Sequence, residues 1–128
     1  MRVFKNKWFT KFARRHRIGD EVLLEAVERA NLGLIDADLG GGVIKQRVAR
    51  QNQGKSGGFR SVVLFKQLET AVFVYGFAKS DMENISSREL AAYRNIASVV
   101  LEFNAAAMEI EVLKGKLIEV SHGKEKIH

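Results

Sequence analysis

The segment ARQNQGKSGGFR, residues 49–60, carries the residue types that hold phosphate. Gly54-Lys55-Ser56 has the last three residues of the G-x-x-x-x-G-K-[ST] loop that cradles nucleotide phosphates. The first glycine of that pattern falls at Ala49, and Gly57-Gly58 with a β-branched run follows the serine. A phosphate loop needs a helix opening there, so that its N-terminal amides face the anion. No acid between Asp38 and Glu69 is at hand to hold magnesium. A nucleotide site is therefore not expected, and the charge of this segment needs another purpose. Upstream, VIKQRVA (43–49) alternates as a strand, with Val43, Lys45, Arg47 and Ala49 on one face and Ile44, Gln46 and Val48 on the other. Two cations on one strand face, followed by Arg50, Lys55 and Arg60, suit a polyanion rather than a metal. Cysteine is absent, His16 stands near the N-terminus, and His122 and His128 are in the tail, so no cluster at metal-ligand spacing exists.

The net charge of +6 is distributed in blocks. Residues 1–19 have seven Lys/Arg and no acid, residues 20–38 have six acids and one Arg, and residues 39–68 have six Lys/Arg and no acid. Two basic blocks separated by an acidic one imply a positive face rather than charge spread for solubility. The length of 128 residues suits one domain, and a hydrophobic content of 46% excludes a disordered chain. The lack of cysteine fits a reducing cytosol. No run of 18 apolar residues and no apolar N-terminal segment is present, so neither a membrane span nor a secretory signal is expected.

The elements that must position these cations can be read from periodicity. A short strand at 1–4 precedes a helix over 7–15, with Trp8, Phe9, Phe12 and Ala13 inward and Lys7, Lys11, Arg14 and Arg15 around them. Gly19 ends it, and Asp20 caps a second helix whose stripe is Val22, Leu23, Ala26, Val27 and Ala30, stopped by Gly33. Three antiparallel strands follow at 43–49, 59–65 and 71–78, the last two joined as a hairpin through Gln67–Thr70. Ser86-x-x-Glu89 is a capping box that opens a long helix over about 87–110, with Leu90, Tyr93, Ala97, Val100, Leu101, Asn104 and Met108 along its stripe. LIEV (117–120) is an edge strand, and residues 121–128 form a flexible basic tail. The expectation is one α+β domain over 1–120: two N-terminal helices packed on a small twisted antiparallel sheet, with a C-terminal helix.

This order, with the segments GGGVIKQRVAR, GKSGGFR and VYGFAKSDMENI, resembles the RelE/ParE superfamily of toxins from type II toxin–antitoxin systems, most closely its HigB-like branch. The likeness spans roughly residues 3–120. It implies a toxin that inhibits translation by cutting mRNA, usually on the ribosome, without a metal or other cofactor. It also implies a cognate antitoxin, often of the helix-turn-helix type, and action in the cytoplasm. Metal-free RNA cleavage requires a deprotonated 2′-hydroxyl, a stabilised pentavalent phosphate and a protonated 5′-oxygen, and crowded Lys and Arg can serve all three needs. The resemblance assigns those roles to Lys45 and Arg47 on one strand, to Arg60 at the start of the next, and to Lys79 after the last long strand. Arg50 and Lys55 then become RNA contacts, and Tyr75, on the face of Phe77 and Lys79, a platform for a base. Studied nucleases of the superfamily carry a tyrosine or histidine shortly after the last strand. Here that stretch reads Lys79-Ser80-Asp81-Met82-Glu83-Asn84-Ile85 and has neither. Two other readings stay open: a ParE-like inhibitor of gyrase without nuclease chemistry, and a non-catalytic nucleic-acid-binding protein.

Overall fold

The computed structural model describes residues 1–49, 58–78 and 85–121. In chain order the elements are β1 (Arg2–Asn6), α1 (Lys7–Arg15), α2 (Asp20–Asn31), β2 (Ala37–Gly40), β3 (Val43–Val48), β4 (Phe59–Lys66), β5 (Thr70–Ala78), α3 (Ser87–Val100), α4 (Ala105–Leu113) and β6 (Leu117–Val120). The fold is α+β, and the six strands form one sheet in the order β2-β3-β4-β5-β1-β6. The β3–β4–β5 ladder is antiparallel, as expected, and the β2–β3 and β1–β6 pairs are antiparallel as well. The β1–β5 pair is parallel, so the sheet is mixed rather than purely antiparallel.

β1 is an interior strand although it carries two cations, because both are neutralised where they leave the sheet. Arg2 meets Glu119 of β6 at 2.8 Å and Lys5 meets Asp20 of α2 at 3.0 Å, while Val3 and Phe4 between them are buried. The helices form a layer on each face. On one, α1 and α2 press Phe9, Ala13, Leu23, Ala26 and Val27 against Ile44, Val48, Phe59, Val63 and Phe73. On the other, Ala97 of α3 and Met108 of α4 share a smaller core with Phe4, Val43, Val62, Leu64 and Val72. Fully burying a side chain of this kind contributes about 1.5–3 kcal/mol, so the two cores supply the main drive to fold.

Several boundaries differ from the sequence expectation for local reasons. Arg17, at φ 55°, lies in the left-handed region just after α1, and Gly19 serves as the N-cap of α2 rather than as the stop of α1. Asp20 is accordingly the first helical residue, free to accept from Lys5 and from the Ser121 amide. β2 was not foreseen, since ADLG has no β-branched residue. It pairs with β3 through Gly40-Gly41-Gly42, all at positive φ, with Arg94 of α3 folded over the turn and bonded to the Leu39 carbonyl. The expected single helix over 87–110 is two helices. Asn104, placed in the buried stripe by periodicity, instead accepts from the Ala107 amide at 2.8 Å as the N-cap of α4. The capping box at Ser86 and Glu89 forms as expected, with both bonds at 3.1 Å.

Candidate nucleic-acid interface

Alternation along β3 buries Ile44, Gln46 and Val48 toward α1 and α2, which turns Lys45 and Arg47 to the opposite face of the sheet. On β4, Phe59 and Ser61 are buried on the α1/α2 side, so Arg60 faces with Lys45 and Arg47. The register makes this a compact array. Lys45 is opposite Val62, which is opposite Tyr75; in the adjoining row Arg47 is opposite Arg60, which is opposite Phe77. Directly opposed strand residues have Cβ atoms about 4.5–5.5 Å apart, so the two arginines are neighbours. Three of the cations singled out in the sequence therefore share one surface with Tyr75. Arg50, Lys55 and Lys79 lie outside the described residues, as do Asp81, Glu83 and the Gly54-Lys55-Ser56 tripeptide.

Side-chain environments separate these cations. Among the described residues no carboxylate stands within ion-pair distance of Lys45 or Arg47, whereas Arg60 Nε lies 3.2 Å from Asp36 Oδ2. Asp36 immediately precedes β2, so the Arg60 side chain reaches across β3 to meet it. Its Nη1 is buried and has no hydrogen-bond partner among the described residues. An unpaired buried donor is costly in a resting fold. It is a fitting feature for a group that receives an anion.

Aromatic rings of α1 pack along the end of β5, Phe12 on the face opposite the cations and Trp8 beside Tyr75. Gly76 lets Phe12 lie on the sheet, and Phe12 packs edge-on to Phe59 at 5.4 Å between ring centroids. Trp8, assigned to the buried stripe by periodicity, is instead 44% exposed. The last β1–β5 pair is Lys5 with Phe73, so the rest of β5 has no strand on its β1 side, and Trp8 stacks on Tyr75 there at 4.6 Å. Tyr75 in turn is 6.2 Å from Phe77.

Sequence reasoning did not single out two further side chains, Asp36 and Tyr93. Asp36 had no distinguishing motif. Tyr93 is partly buried on α3 and packs in the core beneath that helix together with Tyr75. Burial, followed by the nearby charges of Glu89 and Tyr75, raises its phenol above the usual tyrosine value. Such a phenol stays protonated at neutral pH and can donate a proton rather than remove one. The sequence signal was its i+4 and i+7 spacing to Ala97 and Val100, which reads only as packing. Among the described residues there is no group of three or more His, Cys, Asp or Glu able to hold a metal ion, and no helix long and apolar enough to cross a membrane.

These features meet an independent comparison. The family model described as RelE toxin of RelE / RelB toxin-antitoxin system matches residues 1–120. The chain belongs to this family of toxins, which pair with cognate antitoxins. A comparison with curated proteins gave no match.

Proposed function

We propose that this toxin inhibits translation by cutting mRNA, without a metal, on the sheet face formed by β3, β4 and β5. The observation that carries the reading is the clustering of Lys45, Arg47 and Arg60 in two adjoining cross-strand rows beside Tyr75. Lys45, in the row beside the two arginines, takes the 2′-hydroxyl proton. Arg47 and Arg60 oppose the charge that builds on the phosphorane, Arg60 through a planar fork that can bind two oxygens. Tyr93, protonated at neutral pH, is suited to protonate the departing 5′-oxygen; Lys79 is the alternative donor. Trp8 and Tyr75 supply π-faces on which a base can stack, and Arg50 and Lys55 add phosphate contacts. The target is mRNA in the ribosome, the setting is the cytoplasm, and the silencing partner is an antitoxin of helix-turn-helix type.

Growth arrest on induction, with cleavage sites on cellular mRNA mapped by primer extension, tests the reading. Arrest with new 5′ ends that vanish in Arg60→Ala supports it. Arrest with intact mRNA and blocked gyrase supercoiling would replace it with the gyrase-inhibitor reading. RNA retention without cleavage or arrest would replace it with the non-catalytic binder.

A further inference from the structure

We infer that Asp36 is a positioning residue for Arg60, held in place by the buried amide of Gln46. The inference rests on the phosphate-binding role proposed for Arg60.

The connection is continuous. Gln46 sits between Lys45 and Arg47 in sequence, but its side chain points to the opposite face and is 2% exposed. Its Nε2 donates to the carbonyls of Ala26 on α2, at 2.9 Å, and Leu34, at 3.0 Å. Its Oε1 accepts from the Asp36 backbone amide at 3.1 Å. The carboxylate of Asp36 then stands 3.2 Å from Arg60 Nε. The segment between α2 and β2 is thus pinned to the core by one side chain, at the residue whose carboxylate faces the guanidinium.

The choice of nitrogen gives the pair its meaning. A guanidinium has five N–H donors, and a carboxylate serving chiefly as a structural partner for arginine commonly takes two parallel bonds. Here the ion pair is at the inner nitrogen, and the terminal Nη1 has no partner among the described residues. Nη1 is therefore left uncommitted by the pair with Asp36. An arginine on a flexible stem loses rotamer entropy when it grips a phosphate; one already fixed at Nε has less to lose.

The test is a double-mutant cycle of Asp36→Ala with Arg60→Ala in the full chain. It is read as cleavage of a short mRNA on programmed ribosomes at saturating and limiting concentrations, and as affinity for the same complex with a 2′-deoxy-substituted mRNA that cannot be cut. Misplacement of a group by about 1 Å can cost about a hundredfold, so Asp36→Ala should lower the saturated rate about tenfold to a hundredfold, with a smaller change in KM. In the Arg60→Ala background the same change should cost less than about twofold, because its route of action is gone. Asp36→Glu, which keeps the charge, should recover part of the rate. In parallel, the 15N-resolved Arg60 Nε–H resonance should move and exchange faster in Asp36→Asn.

If the wild-type chain cuts RNA and the two losses multiply, or Asp36→Ala cuts at the wild-type rate, the inference fails while the nuclease reading stands. If the wild-type chain neither cuts mRNA on ribosomes nor binds that complex, the nuclease reading fails and the resonance decides the positioning. An Nε–H signal unchanged by Asp36→Asn overturns it, and a displaced one upholds it.

Discussion

Replacing Gln46 by Leu removes a polar group that the fold has surrounded. The side chain makes three hydrogen bonds, to Ala26 O, Leu34 O and the Asp36 amide, at 2.9, 3.0 and 3.1 Å. A typical intramolecular hydrogen bond contributes a net 0.5–1.5 kcal/mol, so the three together are worth about 3 kcal/mol. Leu is close in volume and gains from burial, which offsets roughly 1 kcal/mol. The Asp36 amide and Leu34 carbonyl lose the partner that reaches them from the core, in bonds that are partly buried, which restores a cost of similar size. The expected destabilisation is therefore about 3 kcal/mol. For a domain of this length that lowers Tm by about 10 °C. Calorimetry gives the Tm, and urea unfolding with an unchanged m-value confirms that native stability moved rather than the unfolded ensemble. Ser61→Ala, which loses only its 2.9 Å bond to the Gln46 carbonyl, is the scale marker at about 1 kcal/mol. A Gln46→Leu variant within about 0.5 kcal/mol of the wild type would refute the reasoning, because the amide would then add nothing beyond its volume.

Gly76→Ala should destabilise by about 1–3 kcal/mol, since its Cβ would lie 2.5 Å from Phe12 Cε2; an unchanged urea midpoint would contradict this packing. Arg60→Lys should abolish growth arrest nearly as well as Arg60→Ala while both remain folded by circular dichroism, because an ammonium reproduces neither the fork nor its inner nitrogen; full toxicity of Arg60→Lys would count against a bidentate role. Tyr93→Phe should leave stability within about 1 kcal/mol and slow RNA cleavage, with the loss concentrated in the rate at saturation; cleavage at the wild-type rate would remove Tyr93 as proton donor. The Glu119 carboxyl is held below the usual carboxylate range by its bonds to Arg2 and the guanidinium charge. A depressed folded value gives stability that is present above the unfolded carboxylate value of about 4.3 and is lost as pH falls through the folded one. Glu119→Gln should accordingly flatten the acid limb of the stability–pH curve, and an identical limb in the two proteins would show that the pair contributes nothing.

The sequence by itself determined whatever depends on local spacing. Period-two alternation set Lys45 and Arg47 on one face and sent Gln46 to the other. The capping box fixed the start of α3, and the α2 stripe is buried at Leu23, Ala26, Val27 and Ala30. The acid-free stretch 39–68 marked the charged surface before any fold was known. What remained hidden depends on residues far apart in the chain. RVFKN shows no sign that it pairs in parallel with a strand about 70 residues later, because its suitability rests on Glu119 and Asp20 neutralising its cations. Asn104 is equally plausible in a helix stripe or at a cap, and the packing of Met108 under α4 decides for the cap. Trp8 has the period of a buried residue, yet it lies beside the part of β5 beyond the last β1–β5 pair and stacks there on Tyr75. Asp36 is one acid among six in its block. Only the order β2-β3-β4 brings it to Arg60, since sheet neighbours are chosen by burial across the whole core rather than by proximity in sequence.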